Sequence, residues 1–130
     1  MNCRLLPGTD PVRFIQTIVA TLADPGIKVT WDPEELEPIP SSGRDHPLYG
    51  AIEKASSRRF PGARVVPLLS PGSSDARFFR RLGVPCYGLM PFPLTREEAG
   101  RVHGAYDRLP LDSVEPALRF AHDLIREAAR

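Results

Sequence analysis

Lysine is almost absent from this chain, cysteine is rare and no apolar run is long. Each absence excludes something. Only Lys28 and Lys54 among the 17 basic residues are lysines, and the arginines are scattered between 16 acidic residues to leave a formal net charge of +1. We read the arginine bias as a codon-composition effect and not as phosphate recognition. Charges of both signs, interspersed this way, make neither a basic arm nor an acidic tail, so no nucleic acid and no membrane is expected as a partner. The apolar stretches fall far short of the ~20 residues of a transmembrane helix. The start, Met1-Asn2-Cys3-Arg4, has no apolar core followed by a small-residue cleavage site, so no signal peptide is expected. Cys3 and Cys86 form no close pair and no metal-type spacing. They read as reduced thiols of a cytoplasmic protein, although sequence alone is compatible with a disulfide. Also missing are a Gly-x-Ser-x-Gly elbow, a cysteine in an activating context, a phosphate loop and Gly-x-Gly-x-x-Gly.

What remains has the size and composition of one ordinary soluble domain, 130 residues with 42% hydrophobic and 25% charged side chains. A chain of that size buries roughly two-thirds of its unfolded surface. Its fifteen prolines fall mostly between the periodic segments, where they punctuate a fold.

Asn2 to Leu6 reads as a short strand running into Pro7-Gly8. Asp10 then caps a helix with Pro11 at its first position, and Phe14, Ile15, Ile18, Val19 and Leu22 recur on one face until Asp24-Pro25-Gly26 stops it. Ile27, Val29 and Trp31 alternate as in a half-buried strand. The acidic stretch from Pro33 to Pro40 is an edge strand or an extended connection, and Ser41-Ser42-Gly43 is the candidate linker. Leu48, Ala51, Ile52 and Ala55 mark a second helix ended by Pro61-Gly62. Arg64 to Leu69 reads as a buried strand. The turn from Pro71 to Asp75 leads into a helix with Phe78, Phe79 and Leu82 on its apolar face and Gly83 as its stop. Val84 to Met90 is another apolar strand, followed by a long loop from Pro91 through Pro110. A last helix, beginning near Asp112 or Ser113, carries Val114, Ala117, Leu118, Ala121, Leu124, Ile125 and Ala128 on one face. Alternating strands and helices predict an α/β class with an at least partly parallel sheet.

Two places in this pattern carry candidate chemistry. In Pro71-Gly72-Ser73-Ser74-Asp75-Ala76-Arg77, small residues between a strand and a helix place backbone N–H groups at a helix start, which suits an anion. Arg77 adds a bidentate grip on a carboxylate. The plainer alternative is that Asp75 caps the helix and the serines satisfy a turn, and composition alone favours it. His103-Gly104 lies in the loop after a strand, where open α/β sheets place ligands, yet zinc needs three or four donors and no partner set is evident. His46, beside a helix cap, and His122, near an apolar helix face, do not stand at ligand spacing to His103. The acidic run Glu34, Glu35 and Glu37 reads as a solvated connection, since nothing nearby would raise a carboxylate pKa.

Taken in order, these segments resemble the C-terminal portion of the family containing aminoacylase, glutamate carboxypeptidase, acetylornithine deacetylase and succinyl-diaminopimelate desuccinylase. Asn2-Cys3-Arg4 is similar to the family's Asn-x-Arg strand in its inserted lid, or dimerisation, domain. Gly72-Ser73-Ser74-Asp75-Ala76-Arg77 resembles its Gly-x-x-Asp-x-Arg turn, Gly83-Val84-Pro85 fits the next element, and Val102-His103-Gly104 with Asp107-Arg108 resembles the closing His-Gly-x-x-Glu-Arg segment. The resemblance implies a partial zinc-exopeptidase-type three-layer α/β sandwich. Residues 1–40 would end the α+β lid with strand, helix and strand, and 44–130 would form the C-terminal half of the catalytic domain. It implies His103 as the last ligand of a two-zinc centre. Arg4 would reach the substrate's carboxylate or developing oxyanion, and Gly72, Ser73, Ser74 and Arg77 would hold a substrate carboxylate. The complete enzyme would cleave amide bonds of N-acyl amino acids or small peptides, with two zinc ions activating water and a Glu shuttling the proton.

The family's His-x-Asp, bridging Asp, Glu-Glu pair and further acidic ligand lie upstream of the lid and have no counterpart here, and Asp107 shortens the usual Glu by one methylene. The isolated chain is therefore expected to bind zinc weakly and to be inactive, and it supplies no catalytic residue of its own. Two rivals stand beside this reading. One is a non-catalytic role, as a homodimerisation module or the partner of a separately encoded N-terminal half. The other is an unrelated α/β module that binds small anions.

Overall fold

A proline preceded by an acceptor side chain opens both of the first two helices. Asp10 accepts from the N–H groups of Val12 and Arg13 at 2.9 and 3.2 Å before Pro11, and His46 accepts through Nδ1 from the N–H of Leu48 at 3.2 Å before Pro47. Pro suits the first helical position because its missing N–H has no partner there in any helix. In this computed structural model residues 3–6, 8–33, 39–70, 72 and 74–130 are described. In chain order the helices are α1 Pro11–Leu22, α2 Pro47–Arg59, α3 Ala76–Arg81, α4 Arg96–Ala99 and α5 Val114–Ala128, with a 3₁₀ turn Leu111–Ser113 leading into α5. The chain divides into two units, Met1–Ser42 with Ser70–Cys86, and Gly43–Leu69 with Tyr87–Arg130.

The first unit is held by helix caps, turns and one long-range polar contact. Ala23 ends α1 in the left-handed region (φ 47°), its N–H reaching the Val19 carbonyl, and the Asp24 carboxylate then accepts from the Gly26 N–H at 2.8 Å to form the turn. Gly83, at φ 78°, closes α3: its N–H donates to the Arg80 carbonyl while the N–H of Val84 donates to that of Phe79. That paired exchange is the Schellman motif, and glycine carries no Cβ penalty there. Ser42 Oγ both accepts from the Cys86 N–H and donates to the Cys86 carbonyl at 2.9 Å, and the Arg80 guanidinium adds a bond of 2.8 Å to the same carbonyl. Both cysteines are free. The apolar face expected on α1 is partly covered, with Phe14, Ile15 and Ile18 half-buried and Val19 and Leu22 exposed, whereas Phe78, Phe79 and Leu82 of the face expected on α3 are all exposed.

The second unit builds a core from α2 against α5. Ile52 and Ala55 meet Phe120, with Phe60, Val65, Tyr87 and Leu124 packed around them. Burying each large apolar side chain contributes roughly 1.5–3 kcal/mol. The Phe60 and Phe120 rings lie 5.9 Å apart, and Tyr49 and Tyr87 5.7 Å apart, both tilted. Ser113 is fully buried where the 3₁₀ turn enters α5, its hydroxyl donating to the Pro110 carbonyl at 2.6 Å. Inside the long loop, Thr95 and Glu98 form a capping box around α4.

The sheet of the expected α/β sandwich does not form among the described residues, which hold helices and no strand. Residues 27–31, 64–69 and 84–90 lie outside any helix or strand, and Val66, Leu68 and Leu69, read as a buried strand, are exposed. Alternation biases a segment toward extension, but a ladder needs a partner to satisfy its backbone groups. Pro67 and Pro85 further remove donors from two of these segments. The expected face of α5 is also redrawn. Ala117, Phe120 and Asp123 are buried, while Leu118 and Ile125 stay 65% and 68% exposed, because the apolar arc is wider than α2 alone covers.

Candidate functional site

The residues with candidate roles fall in both units. Arg4 is exposed in the segment 3–6 of the first unit. The turn before α3 lies in the same unit. Its Gly72 N–H donates to Ser70 Oγ at 3.1 Å, and the Ser74 carbonyl accepts from the Arg77 N–H at 3.2 Å. Gly72 and Ser74 are exposed, Arg77 is half-buried, and its guanidinium carbon sits 4.7 Å from the centre of the Phe78 ring. That distance is a cation–π contact. Ser73, like Asn2 and the acidic residues Glu34, Glu35 and Glu37, lies outside the described residues. Asp75, the alternative cap, makes no side-chain capping bond. The turn thus keeps small, exposed residues and a guanidinium close in sequence, with Asp75 left uncommitted to the helix end.

His103 belongs to the second unit and sits in a turn of its own. Its backbone is left-handed (φ 65°), a conformation that His, Asn and Asp adopt more readily than other non-glycine residues. Three bonds hold it there: the Gly104 N–H to the Arg101 carbonyl at 2.8 Å, the Asp107 N–H to the Gly104 carbonyl at 3.1 Å, and the His103 N–H to Asp107 Oδ2 at 3.0 Å. Asp107 therefore closes the loop around His103 despite its short side chain, and the imidazole projects from an exposed residue. Among the described residues no three His, Cys, Asp or Glu side chains gather as a metal cage. The described residues offer one imidazole to the implied zinc and do not by themselves fit a zinc site.

Two features escaped the sequence reading. The first is an ion network between α2 and α5. Arg59 Nε donates to Asp123 Oδ2 at 2.5 Å, Arg58 reaches Glu127 at 2.8 Å, and His122 Nδ1 stands 3.5 Å from Asp123 Oδ1. The hydrogen bond from Arg59 outweighs burial and holds the Asp123 carboxyl at about 2, and Arg58 likewise lowers that of Glu127. A signal existed: Asp123 falls on the helix face shared by Ala117 and Phe120, and α2 ends in two arginines. The second is an open apolar cleft of about 460 Å³ in the same unit, lined by Ile52, Phe60, Val65, Leu89, Phe92 and Phe120 among others. It suits apolar groups and holds no convergent set of titratable side chains.

No family model matches the chain, and no solved structure matches it. Curated hydrolases and a carboxypeptidase do match. Over 129 residues the chain is 26% identical to an N-fatty-acyl-amino acid synthase/hydrolase of Xenopus tropicalis, covering 98% of this chain and 25% of that one. It is 22% identical over 130 residues to a probable carboxypeptidase S-like protein of Dictyostelium discoideum, covering 100% and 25%. The N-fatty-acyl-amino acid synthase/hydrolase of Homo sapiens is 24% identical over 131 residues, covering 98% and 26%. These matches bear out the resemblance to the aminoacylase and carboxypeptidase family across the whole chain. The chain spans about a quarter of the length of the curated relatives it matches. Among the described residues no helix is long and apolar enough to cross a membrane.

Proposed function

We propose that this chain is the C-terminal part of a zinc-dependent amidohydrolase or peptidase acting on small substrates with a free carboxylate. The observation that carries the reading is the match of practically the entire chain to relatives whose names record N-fatty-acyl-amino acid hydrolysis and carboxypeptidase. In this reading residues 1–40 belong to the lid and 44–130 to the catalytic domain. Gly72, Ser73, Ser74 and Arg77 hold the substrate carboxylate, with Arg4 reaching it from the lid. The exposure of Gly72 and Ser74, with Arg77 three residues further on at the start of α3, supports that pocket. His103 offers one imidazole, and the remaining ligands and the general base come from the part of the relatives that this chain does not span. A lone imidazole closes no tetrahedral site, so the isolated chain binds zinc weakly and turns over no N-acyl amino acid.

The test has two stages. Calorimetric titration of the chain with zinc, together with an N-acyl-amino-acid hydrolysis assay, should give weak binding and no turnover. Adding the remaining three-quarters of the Xenopus tropicalis relative as a second chain should then restore metal uptake and activity. His103→Asn, chosen because Asn tolerates the left-handed backbone, should remove that gain. Arg4→Ala should leave the metal in place and chiefly weaken substrate binding and turnover. Tight stoichiometric zinc binding or robust hydrolysis by the chain alone would overturn the reading. Absence of any metal gain in the assembled pair would favour the non-catalytic dimerisation role.

A further inference from the structure

His103 stands where a turn would ordinarily place glycine. Two turns follow one another and share Gly104: its N–H donates to the Arg101 carbonyl at 2.8 Å, and its carbonyl accepts from the Asp107 N–H at 3.1 Å. A positive φ at the third residue of a turn is usually taken by glycine or asparagine. Here that residue is His103, at φ 65°, and the glycine comes one position later. Gly104 answers a need for space and not for conformation. A Cβ there would lie 3.0 Å from the Arg101 carbonyl oxygen, a backbone atom that cannot swing aside. The sequence thus sets its small residue at the close approach and keeps a side chain at the strained position. One bond offsets that strain: Asp107 Oδ2 accepts from the His103 N–H at 3.0 Å, reaching back over four residues to close both turns into one loop. The base of the loop is tied to α4, where the Arg101 N–H donates to the Glu98 carbonyl at 3.0 Å and the Arg101 guanidinium pairs with Glu97. His103 and Asp107 are both exposed, so packing does not aim the imidazole. The backbone does, because φ and ψ set the direction of the Cα–Cβ bond.

We propose that Asp107 is a positioning residue for the His103 imidazole. By holding the His103 N–H it fixes the left-handed turn, and so sets the direction of the imidazole before any ligand arrives. A side chain already held in its binding direction loses less freedom when it binds. Gly104 leaves the room that the same turn needs. What Asp107 contributes is an acceptor oxygen at one place and not its charge, so an amide of the same length does the same. The task of the imidazole rests on the proposed function, whereas the turn and the part of Asp107 in it do not.

Nuclear magnetic resonance on the isotopically labelled chain reads the turn directly, because a left-handed residue gives a strong nuclear Overhauser effect between its own amide and α protons. The wild-type chain should show that signal at His103. Asp107→Ala should lose most of it, and the His103 amide should exchange at least about fivefold faster, the factor of one ordinary hydrogen bond. Asp107→Asn should keep both at the wild-type level. Circular dichroism should show the helices of Asp107→Ala intact, because Asp107 is exposed and lies outside the core of α2 and α5. The second stage uses the chain assembled with the remaining three-quarters of the Xenopus tropicalis relative. There Asp107→Ala should weaken zinc binding about tenfold or more, and Asp107→Asn about twofold at most. Gly104→Ala should behave as Asp107→Ala in both stages, because its Cβ forces the turn open. An unchanged signal in Asp107→Ala, or its loss in Asp107→Asn, overturns the proposal. Full zinc affinity in the assembled Asp107→Ala pair overturns it too, since Asp107 would then shape the loop without aiming the imidazole. An assembled wild-type pair that takes up no zinc removes the proposed function and not this inference, which the amide measurements on the chain alone then decide.

Discussion

The two units of this chain are stabilised in different ways. Every residue buried among those described, from Tyr49 and Ile52 through Phe120 and Asp123, belongs to the second unit, and none belongs to the first. The second unit therefore owns a packing core, whereas the first is set by caps and turns at Asp10, Asp24 and Gly83 and by the long-range bonds of Ser42 to Cys86. The difference teaches where a substitution is felt. Loss of a core side chain removes transfer energy and leaves a cavity. Loss of a cap frees one or two backbone groups and acts within a turn or so of helix. Subglobal opening should therefore be easier in the first unit.

The strongest way to break that contrast is Phe120→Ala. Phe120 is 3% exposed and stands at the meeting of α2 and α5, so denaturant unfolding should show a loss of about 3–5 kcal/mol. Hydrogen exchange in α1 should be unchanged by the same substitution. A loss below about 1 kcal/mol would mean that the core relaxes freely and that the contrast is false.

Next comes acid. Arg59 holds Asp123 at about 2, against an ordinary value of 3.8. A carboxyl depressed in the folded state contributes stability above its unfolded pKa and loses it as pH falls toward the folded one. Glu127, lowered by Arg58, acts in the same direction. The melting temperature reported by α2 and α5 should hold from neutral pH to about pH 4 and then fall toward pH 2. Asp123→Asn should lower it at pH 7 and flatten much of the acid limb, because the amide keeps the shape but not the charge. An acid limb of unchanged depth in that variant would remove Asp123 from the explanation.

How much of this was legible before the structure depends on the range of the interaction. Asp10 with Pro11, Pro61-Gly62 after α2 and Gly83 after α3 are legible in the sequence, because capping and left-handed turns are decided within a few residues. The Thr95 to Glu98 box lies in the same range, inside a stretch whose prolines give it the pattern of a loop. Alternation gives strands a local bias but never a partner, and the described residues contain no ladder. The choice of which α5 residues to bury was likewise non-local, since both apolar stripes satisfy the same period and only α2 decides between them. The motif order along the whole chain agrees with its hydrolase and carboxypeptidase S-like relatives. The turn that presents His103 required the structure, because it rests on a left-handed φ and a carboxylate four residues away.

The smallest expected effect is the most informative about the first unit. Asp10 supplies a side-chain acceptor to two of the N–H groups that open α1, and the helix it caps has no buried residue. Asp10→Ala removes both bonds, at a cost of about 1 kcal/mol confined to α1. Native-state hydrogen exchange reads this directly: amides of α1 should exchange about fivefold faster, the factor that 1 kcal/mol represents at room temperature, while those of α2 and α5 keep their protection. Asp10→Asn should recover most of the effect, because its amide oxygen accepts the same bonds, which separates capping from the loss of a charge at the helix start. Equal acceleration in α1 and α5 would show that the units open together. The contrast between a unit with a core and a unit built on caps would then describe packing alone and not stability.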